Sequence, residues 1–368
     1  MTVYIILIVL CMFTDFICRI KSGQLVRRMM LALCCLVIAV LTGFRYEVGA
    51  DYEHYLEVYD YINSPYIERD YEEIGYRILN KAVDAAGWDA RALFIISGIL
   101  LGAALYIFVS QIVPQYSWGF FMFLFVCGGT FFSSLNLMRQ YMALSCCLMA
   151  YVCWKRHHSV WAVLLLAMGV SFHRSILIVL LLFPLRFFLR RNRDMTILVM
   201  YIVSFIILIF GMDSIISTIA RIVPSWSGYA NVDTNESRNT IALLKAIVPN
   251  ILLFYGLSKS RTLLPNNELA VDTNGQRHLQ RSLILTGTIT FAATSICFAG
   301  VMILTRLTEF FAPLYYVYLC RLIHDENREM KPLLNYAIYL YYLALTIVTI
   351  FIMNSNDVVP YQMAWKVW

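Results

Sequence analysis

Apolar runs close to twenty residues long recur from one end of the chain to the other, separated by short polar connections. At ~1.5 Å of rise per residue, a helix of about twenty residues matches the ~30 Å hydrocarbon core of a bilayer. Runs over 3–18, 29–44, 92–112, 117–133, 138–154, 159–172, 175–189, 195–211, 241–257, 282–303, 307–322 and 333–353 predict about twelve transmembrane helices. The period-2 alternation of a membrane β-barrel is absent, and only helices or closed barrels satisfy their backbones in lipid. The pattern therefore predicts an all-α polytopic integral membrane protein, a single domain over 1–368.

Composition agrees: 60% of residues are hydrophobic and only 14% are charged, against about 25% charged in ordinary soluble domains. The basic residues are sorted. "RIKSGQLVRR" (19–28), "KRHH" (155–158), "RFFLRRNR" (186–193), the 259–281 segment and "RLIHDENREMK" (321–331) occupy alternate loops. The positive-inside bias places these in the cytoplasm and both termini outside. The N-terminus does not read as a signal peptide, because its basic cluster follows the first apolar run. The longest outer loop, 45–91, carries eleven acidic residues against five basic ones. In its second half, Ile74, Ile78, Leu79 and Val83 recur at helical spacing, which predicts an amphipathic helix at the membrane interface.

Arg45, Arg139, Arg174 and Arg306 all fall at outer helix ends, against the positive-inside bias. An arginine near the bilayer centre costs ~2.5–3.5 kcal/mol on insertion scales, and its fork matches phosphate oxygens. The set predicts an anion site in an outward-facing cavity; snorkelling, or an ion pair of Arg306 with Glu309, is the structural alternative for any one of them. Two short arms meet at His173-Arg174, which places that tip below the outer surface. Asp51, Glu72, Glu73 and Glu309 are the nearby carboxylates. Asp51 and Glu73 stand out as general-base candidates, whereas Glu53, Glu57, Asp60, Glu68 and Asp70 read as a solvated face. Tyrosines 46, 52, 55, 59 and 61 fit an interfacial belt, with Tyr52 and Tyr55 also suited to sugar. The sequence contains no DxD, P-loop, GxSxG or HExxH motif, and no CxxC pair that would suggest zinc.

Five segments, in order, resemble one family. "RYEVGADYEHY" (45–55), "YEEIGYRILNKAVDAAGW" (71–88), "NLMRQYMALSCCLMAYV" (136–152), "MGVSFHRSILIVLLLFPL" (168–185) and "RLTEFFAPLYYVYL" (306–319), followed by "VPYQMAW", are similar to the motifs of the EpsG/Wzy-type polysaccharide polymerases. Two positions depart from the family pattern: Ala50, where threonine is commoner, and Arg174, an added charge. The resemblance implies a GT-C-like fold in a bacterial inner membrane with an active site facing outward. It implies a glycosyltransferase for O-antigen, capsule or exopolysaccharide. Such an enzyme joins undecaprenyl-diphosphate-linked oligosaccharide repeats and releases undecaprenyl diphosphate. No nucleotide or nucleic acid is expected, and no metal or other cofactor; a chain-length regulator and a flippase are the expected partners.

On that reading Asp51, Glu73 and His173 are the expected catalytic groups. Arg45, Arg139, Arg174, Arg306 and Gln140 would bind diphosphate, and Tyr52, Tyr55 and Tyr76 would contact sugar. A single displacement would invert the anomeric centre. A transporter or flippase of lipid-linked sugars is a second reading, and it would favour mid-membrane charges and internal repeats. An O-antigen ligase, which uses the same donor chemistry, is a third.

Overall fold

The structure, a computed structural model, describes residues 1–20, 22–64, 73–210, 240–263, 275–299 and 302–364. Among them the fold is all-helical, with one isolated β-bridge between Arg45 and Met363. Four of the described helices are long and apolar enough to cross a membrane: α1 (Thr2–Arg19), α2 (Gln24–Gly43), α5 (Arg91–Ile112) and α16 (Met330–Thr346), the last running on through a π-helical turn to Ile352. Shorter apolar helices occupy Gln115–Cys127, Ser159–Phe172 and Leu283–Cys297. Each of the seven lies within or over a predicted span. Glu72, Glu68, Asp70 and the 212–239 loop lie outside the described residues.

The chain divides into two compact units, Met1–Leu177 with Ile323–Trp368, and Ile178–Leu322. In the first, α2 packs along α5, α5 against α8 (Met138–Lys155), and α8 against α9 (Ser159–Phe172). Small residues permit the α2–α5 approach: a Cβ added at Gly98 would stand 2.4 Å from the Ala39 carbonyl oxygen. Close backbone approach replaces hydrophobic driving force between helices in lipid. A buried charge also ties helices together. Asp15 is 4% exposed; its Oδ2 lies 2.6 Å from Arg19 Nε and accepts from the Tyr339 hydroxyl at 2.8 Å. Arg19 Nη2 donates in turn to Asn335 Oδ1 at 3.0 Å, so α1 is pinned to α16 by a closed polar set.

In the second unit, Asn250 links three helices, α11 (Arg193–Phe210), α12 (Thr240–Leu263) and α13 (Gly275–Cys297). It accepts from the Tyr201 hydroxyl and donates to the carbonyls of Ala246 at 2.7 Å and Ala292 at 3.0 Å. The unit also holds α14 (Met302–Thr308) and most of α15 (Ala312–His324).

Two of the predicted spans differ from the helices found in ways that local residues explain. The 117–133 run is broken at Gly128-Gly129 into α6 (Trp118–Cys127) and α7 (Thr130–Ser134), since glycine costs ~1 kcal/mol in a helix interior. The 175–189 run begins as a 3₁₀ helix, Arg174–Leu181, and becomes α10 (Leu182–Arg191) only afterwards. Pro184 explains the break. It has no N–H to offer the carbonyl of Leu180, and its ring would clash with that carbonyl in an α-helix. A 3₁₀ helix rises ~2.0 Å per residue, so this arm is longer than an α-helix of the same residue count.

Candidate active site

The connection between α2 and α5 carries two short helices, α3 (Tyr52–Asn63) and α4 (Ile74–Ala85), packed on each other, with α4 also against α5 and α9. Tyr52, Tyr55 and Tyr59 are buried while Glu53, Glu57 and Asp60 are exposed. Positions 52, 55 and 59 share one helical face. The belt reading is thereby corrected for Tyr59; Tyr52 and Tyr55, the two set apart for sugar, lie with it in a core with Tyr76, Phe94 and Met138. The acidic positions at 53, 57 and 60 are the solvated face that the sequence suggested. On α4, Tyr76, Asn80 and Val83 face inward, and Ile74 and Ile78 remain 59% and 61% exposed.

Glu73 is the N-cap residue of α4, yet its carboxylate makes no capping bond to its own helix. It reaches across to two other elements. Oε2 accepts from Arg139 Nη1 at 3.1 Å, and Oε1 accepts from the backbone N–H of Arg174 at 3.4 Å. His173 Nδ1 stands 3.3 Å from Oε1, close but without hydrogen-bond geometry. Burial of Glu73 pushes its carboxyl up. The His173 ring and the nearby backbone N–H groups outweigh that, so the carboxyl is held below its ordinary range and stays ionised. The position at a helix N-terminus acts in the same direction.

Each partner has a structural reason to be there. His173 is the C-cap of α9, in extended backbone (φ −160°), and its N–H bonds the Gly169 carbonyl. The turn brings Arg174 N–H, the first of the 3₁₀ helix, onto Glu73. Arg139 opens α8 and its guanidinium lies 5.3 Å over the ring of Tyr76, a cation–π contact worth ~0.5–2 kcal/mol. Side-chain exposures of 13% for Glu73, 21% for Arg139 and 29% for His173 grade outward to the exposed Arg174. The cluster is therefore accessible from the His173-Arg174 side.

Gly75 makes the meeting of α4 and α9 possible. A Cβ there would lie 2.2 Å from Ser171 Oγ and 2.9 Å from the Ser171 carbonyl oxygen. The serine side chain can rotate away; the backbone cannot. Gly75→Ala is expected to push the start of α4 off α9, carrying Glu73 away from His173 and Arg174. We expect activity to drop by about tenfold with unchanged protein level, since ~1.4 kcal/mol of lost alignment is a factor of ten. Activity at matched expression measures this, and wild-type activity would show that the α4–α9 contact does not set the site.

The aromatic core connects this cluster to Arg45. Tyr55 packs edge-on to Tyr76 and Phe94, Tyr52 stacks on Phe94 at 4.9 Å, and the Arg45 guanidinium lies 4.4 Å over Phe94. Arg45 itself is 1% exposed, so it is enclosed and not at the rim. Nη1 donates to the Thr42 carbonyl at 2.7 Å, while Nε and Nη2 have no hydrogen-bond partner. Burial lowers its pKa to about 10. Tyr52, Tyr55 and Tyr76 thus pack against Phe94, against one another and under Arg139. Burial raises their hydroxyl pKa values.

Asp51 is the N-cap residue of α3, and its backbone N–H donates to Asn136 Oδ1 at 2.7 Å. The carboxylate bound by Arg139 and beside His173 is Glu73. Gln140 is buried in the first turn of α8. Arg306 and Glu309 belong to the second unit, where Glu309 lies near Lys245. Asn136, Phe94 and Ser171 hold or frame these residues; Asn136 and Ser171 lie inside the quoted motifs without having been singled out, and Phe94, inside an apolar run, carried no local signal.

The class defined by these features is a helical membrane protein with an arginine–carboxylate–histidine site built from the connection between α2 and α5 and two helix ends. The chain belongs to the EpsG family, whose model matches residues 28–363, nearly its full length. That membership supports a polysaccharide polymerase-type function acting on lipid-linked substrates. No curated protein and no solved structure shows a significant match to the chain.

Proposed function

We propose that the protein is a Wzy-type glycosyltransferase of a bacterial inner membrane, with about twelve spans and its site facing outward. It joins undecaprenyl-diphosphate-linked oligosaccharide repeats into a longer chain. The observation that carries this reading is the convergence of Arg139, His173 and the Arg174 N–H on Glu73. Arg139 and Arg174 would neutralise the donor's diphosphate, and Gln140 would add a polar contact beside them. Arg45 would add positive potential from behind, through Phe94 and the tyrosines. His173, with Nδ1 turned to Glu73, would present Nε2 to the acceptor hydroxyl.

The transfer balances as follows. The acceptor O–H proton moves to His173 Nε2 as the oxygen attacks the anomeric carbon. The bond from that carbon to the diphosphate oxygen breaks, its electron pair leaving with undecaprenyl diphosphate. The imidazolium that forms is offset by Glu73, and its proton passes to solvent. Attack opposite the leaving group inverts the anomeric centre. Glu73 acts in the same manner as the carboxylate of a triad, by orienting an imidazole and stabilising its charged form. Asp51 is the second general-base candidate, and Arg306 remains a diphosphate-binding candidate by its motif.

A purified assay with one defined lipid-linked repeat tests this. Polymer and free undecaprenyl diphosphate are expected to form together, and to do so in excess EDTA, because guanidinium groups neutralise the phosphates. Loss of turnover on chelation, restored by magnesium or manganese, would recast Asp51 and Glu73 as metal ligands. Transfer of a single repeat to lipid A core without chain growth would favour the ligase reading.

A further inference from the structure

Resting on the diphosphate reading of Arg139, we propose that Glu73 is a resident counter-ion that the donor's diphosphate displaces, so that donor binding itself releases Glu73 to serve His173. Three helix starts meet at this carboxylate. The first turn of α8 supplies Arg139, the start of the 3₁₀ helix supplies the Arg174 N–H, and α4 begins at Glu73 itself. Helix N-termini and a guanidinium together make a place for an anion. In this structure the anion is the protein's own carboxylate.

The geometry gives the two oxygens different fates. Oε2 is held by Arg139 and Oε1 by the Arg174 N–H, with His173 Nδ1 3.3 Å from Oε1 but not hydrogen-bonded to it. A diphosphate offers more oxygens and more charge than one carboxylate, and a fork binds it in two places. Taking Arg139, it would also push Glu73 away by like charge. Glu73 has no capping bond to α4 to break as it moves. It can therefore turn to His173, where an unshared carboxylate supports the imidazolium better than one already neutralised by Arg139. The base would then be poor until the donor is bound, and an acceptor or water entering first would meet an inactive histidine.

A competing internal ligand has a measurable cost. Apparent affinity is reduced by the fraction of protein in which the site is open. An ion pair that keeps Arg139 occupied about nine-tenths of the time weakens diphosphate binding about tenfold. Removing the carboxylate should recover that factor while destroying turnover, the reverse of what loss of an ordinary binding residue does.

The experiment measures the Kd of the full chain in nanodiscs for geranyl diphosphate, a short prenyl diphosphate, in wild type, Glu73→Gln, Glu73→Asp and Arg139→Gln. Glu73→Gln is expected to bind about tenfold tighter than wild type. Glu73→Asp, which keeps the charge on an arm one methylene shorter, should fall between the two. Arg139→Gln should bind far more weakly than any of them. Unchanged or weaker binding in both Glu73 variants, with Arg139→Gln still weak, would overturn displacement and leave the diphosphate reading intact. Equal binding in wild type and Arg139→Gln would overturn the diphosphate reading itself. If Glu73→Gln fails to fold, Glu73→Asp decides alone: a Kd equal to wild type sinks the proposal.

Discussion

Arg139→Lys is expected to cut polymer formation by roughly 10- to 150-fold at normal protein level, the factor set by one charge-assisted hydrogen bond of ~1.5–3 kcal/mol. Arg139 has three tasks. Its guanidinium plane lies over Tyr76, its Nη1 holds Glu73 at 3.1 Å, and the proposed function adds forked bonds to phosphate. A lysine ammonium is a point charge on a flexible stem; it could replace the ion pair but neither the stacking nor the fork. The variant thus separates two roles. If Arg139 only neutralises Glu73, lysine should suffice and polymer should remain long. If the fork matters, lysine should fail although charge is conserved. Arg306→Lys is the parallel test in the second unit. Arg190→Lys, an exposed position of the basic α10 end, supplies the control, because orientation needs only positive charge there. Normal polymer from Arg139→Lys at matched expression would reduce this arginine to scaffold.

How much of this was legible in the sequence depends on distance along the chain. Apolar runs gave the helices, because a helix satisfies its own backbone and its pattern is local. Glu73, Arg139 and His173 were legible as candidates, since a charged or titratable residue at the end of an apolar run is costly. Their meeting was not, because 66 residues separate Glu73 from Arg139 and 101 separate it from Arg174. Asp51 and Glu73 looked alike as acids beside tyrosines; only the packing of α4 on α9 sets Glu73 against His173. Arg45 read as a rim residue because it follows α2 directly. Its enclosure depends on Phe94, an unremarked position in an apolar helix, and on a chain segment over three hundred residues away. The tyrosine ladder misled because a belt and a buried helical face use the same residue type, and the 52, 55, 59 spacing decides between them.

Removing residues 355–368 is expected to abolish polymer and to deplete the protein from the membrane. The C-terminal segment is a strap over the 43–50 turn, and both belong to the first unit. Tyr46 N–H donates to the Gln362 carbonyl at 3.1 Å and Ala364 N–H to that of Phe44 at 3.0 Å. Gly49 and Ala50 N–H groups donate to the Asp357 and Asn356 carbonyls, each at 3.0 Å. The Tyr4 hydroxyl donates to the Val358 carbonyl at 2.7 Å, and the Tyr361 hydroxyl to that of Leu41 at 3.0 Å. Val358 is fully buried. The irregular path is fixed from both sides. Asn354, Asn356 and Asp357 adopt positive φ, which asparagine and aspartate tolerate better than most residues. Opposite them, Gly49 has φ +100° and passes so close to Leu135 that a Cβ would stand 2.3 Å from its carbonyl oxygen. Six hydrogen bonds at ~1 kcal/mol each amount to about 6 kcal/mol, comparable with the ~5–15 kcal/mol that separates folded from unfolded in typical proteins. The loss would also reach the site. The strap holds the turn that leads into Asp51 and α3, and α3 carries Tyr55 against Tyr76, the ring beneath Arg139. Tyr361→Phe, which deletes one of the six bonds, should instead keep most of the protein and most of the polymer. Membrane immunoblots and polymer length, read together, test both. Full-length polymer from the truncated chain would show that residues 43–50 hold their path unaided, and would remove the strap from the account of how Arg45 is enclosed.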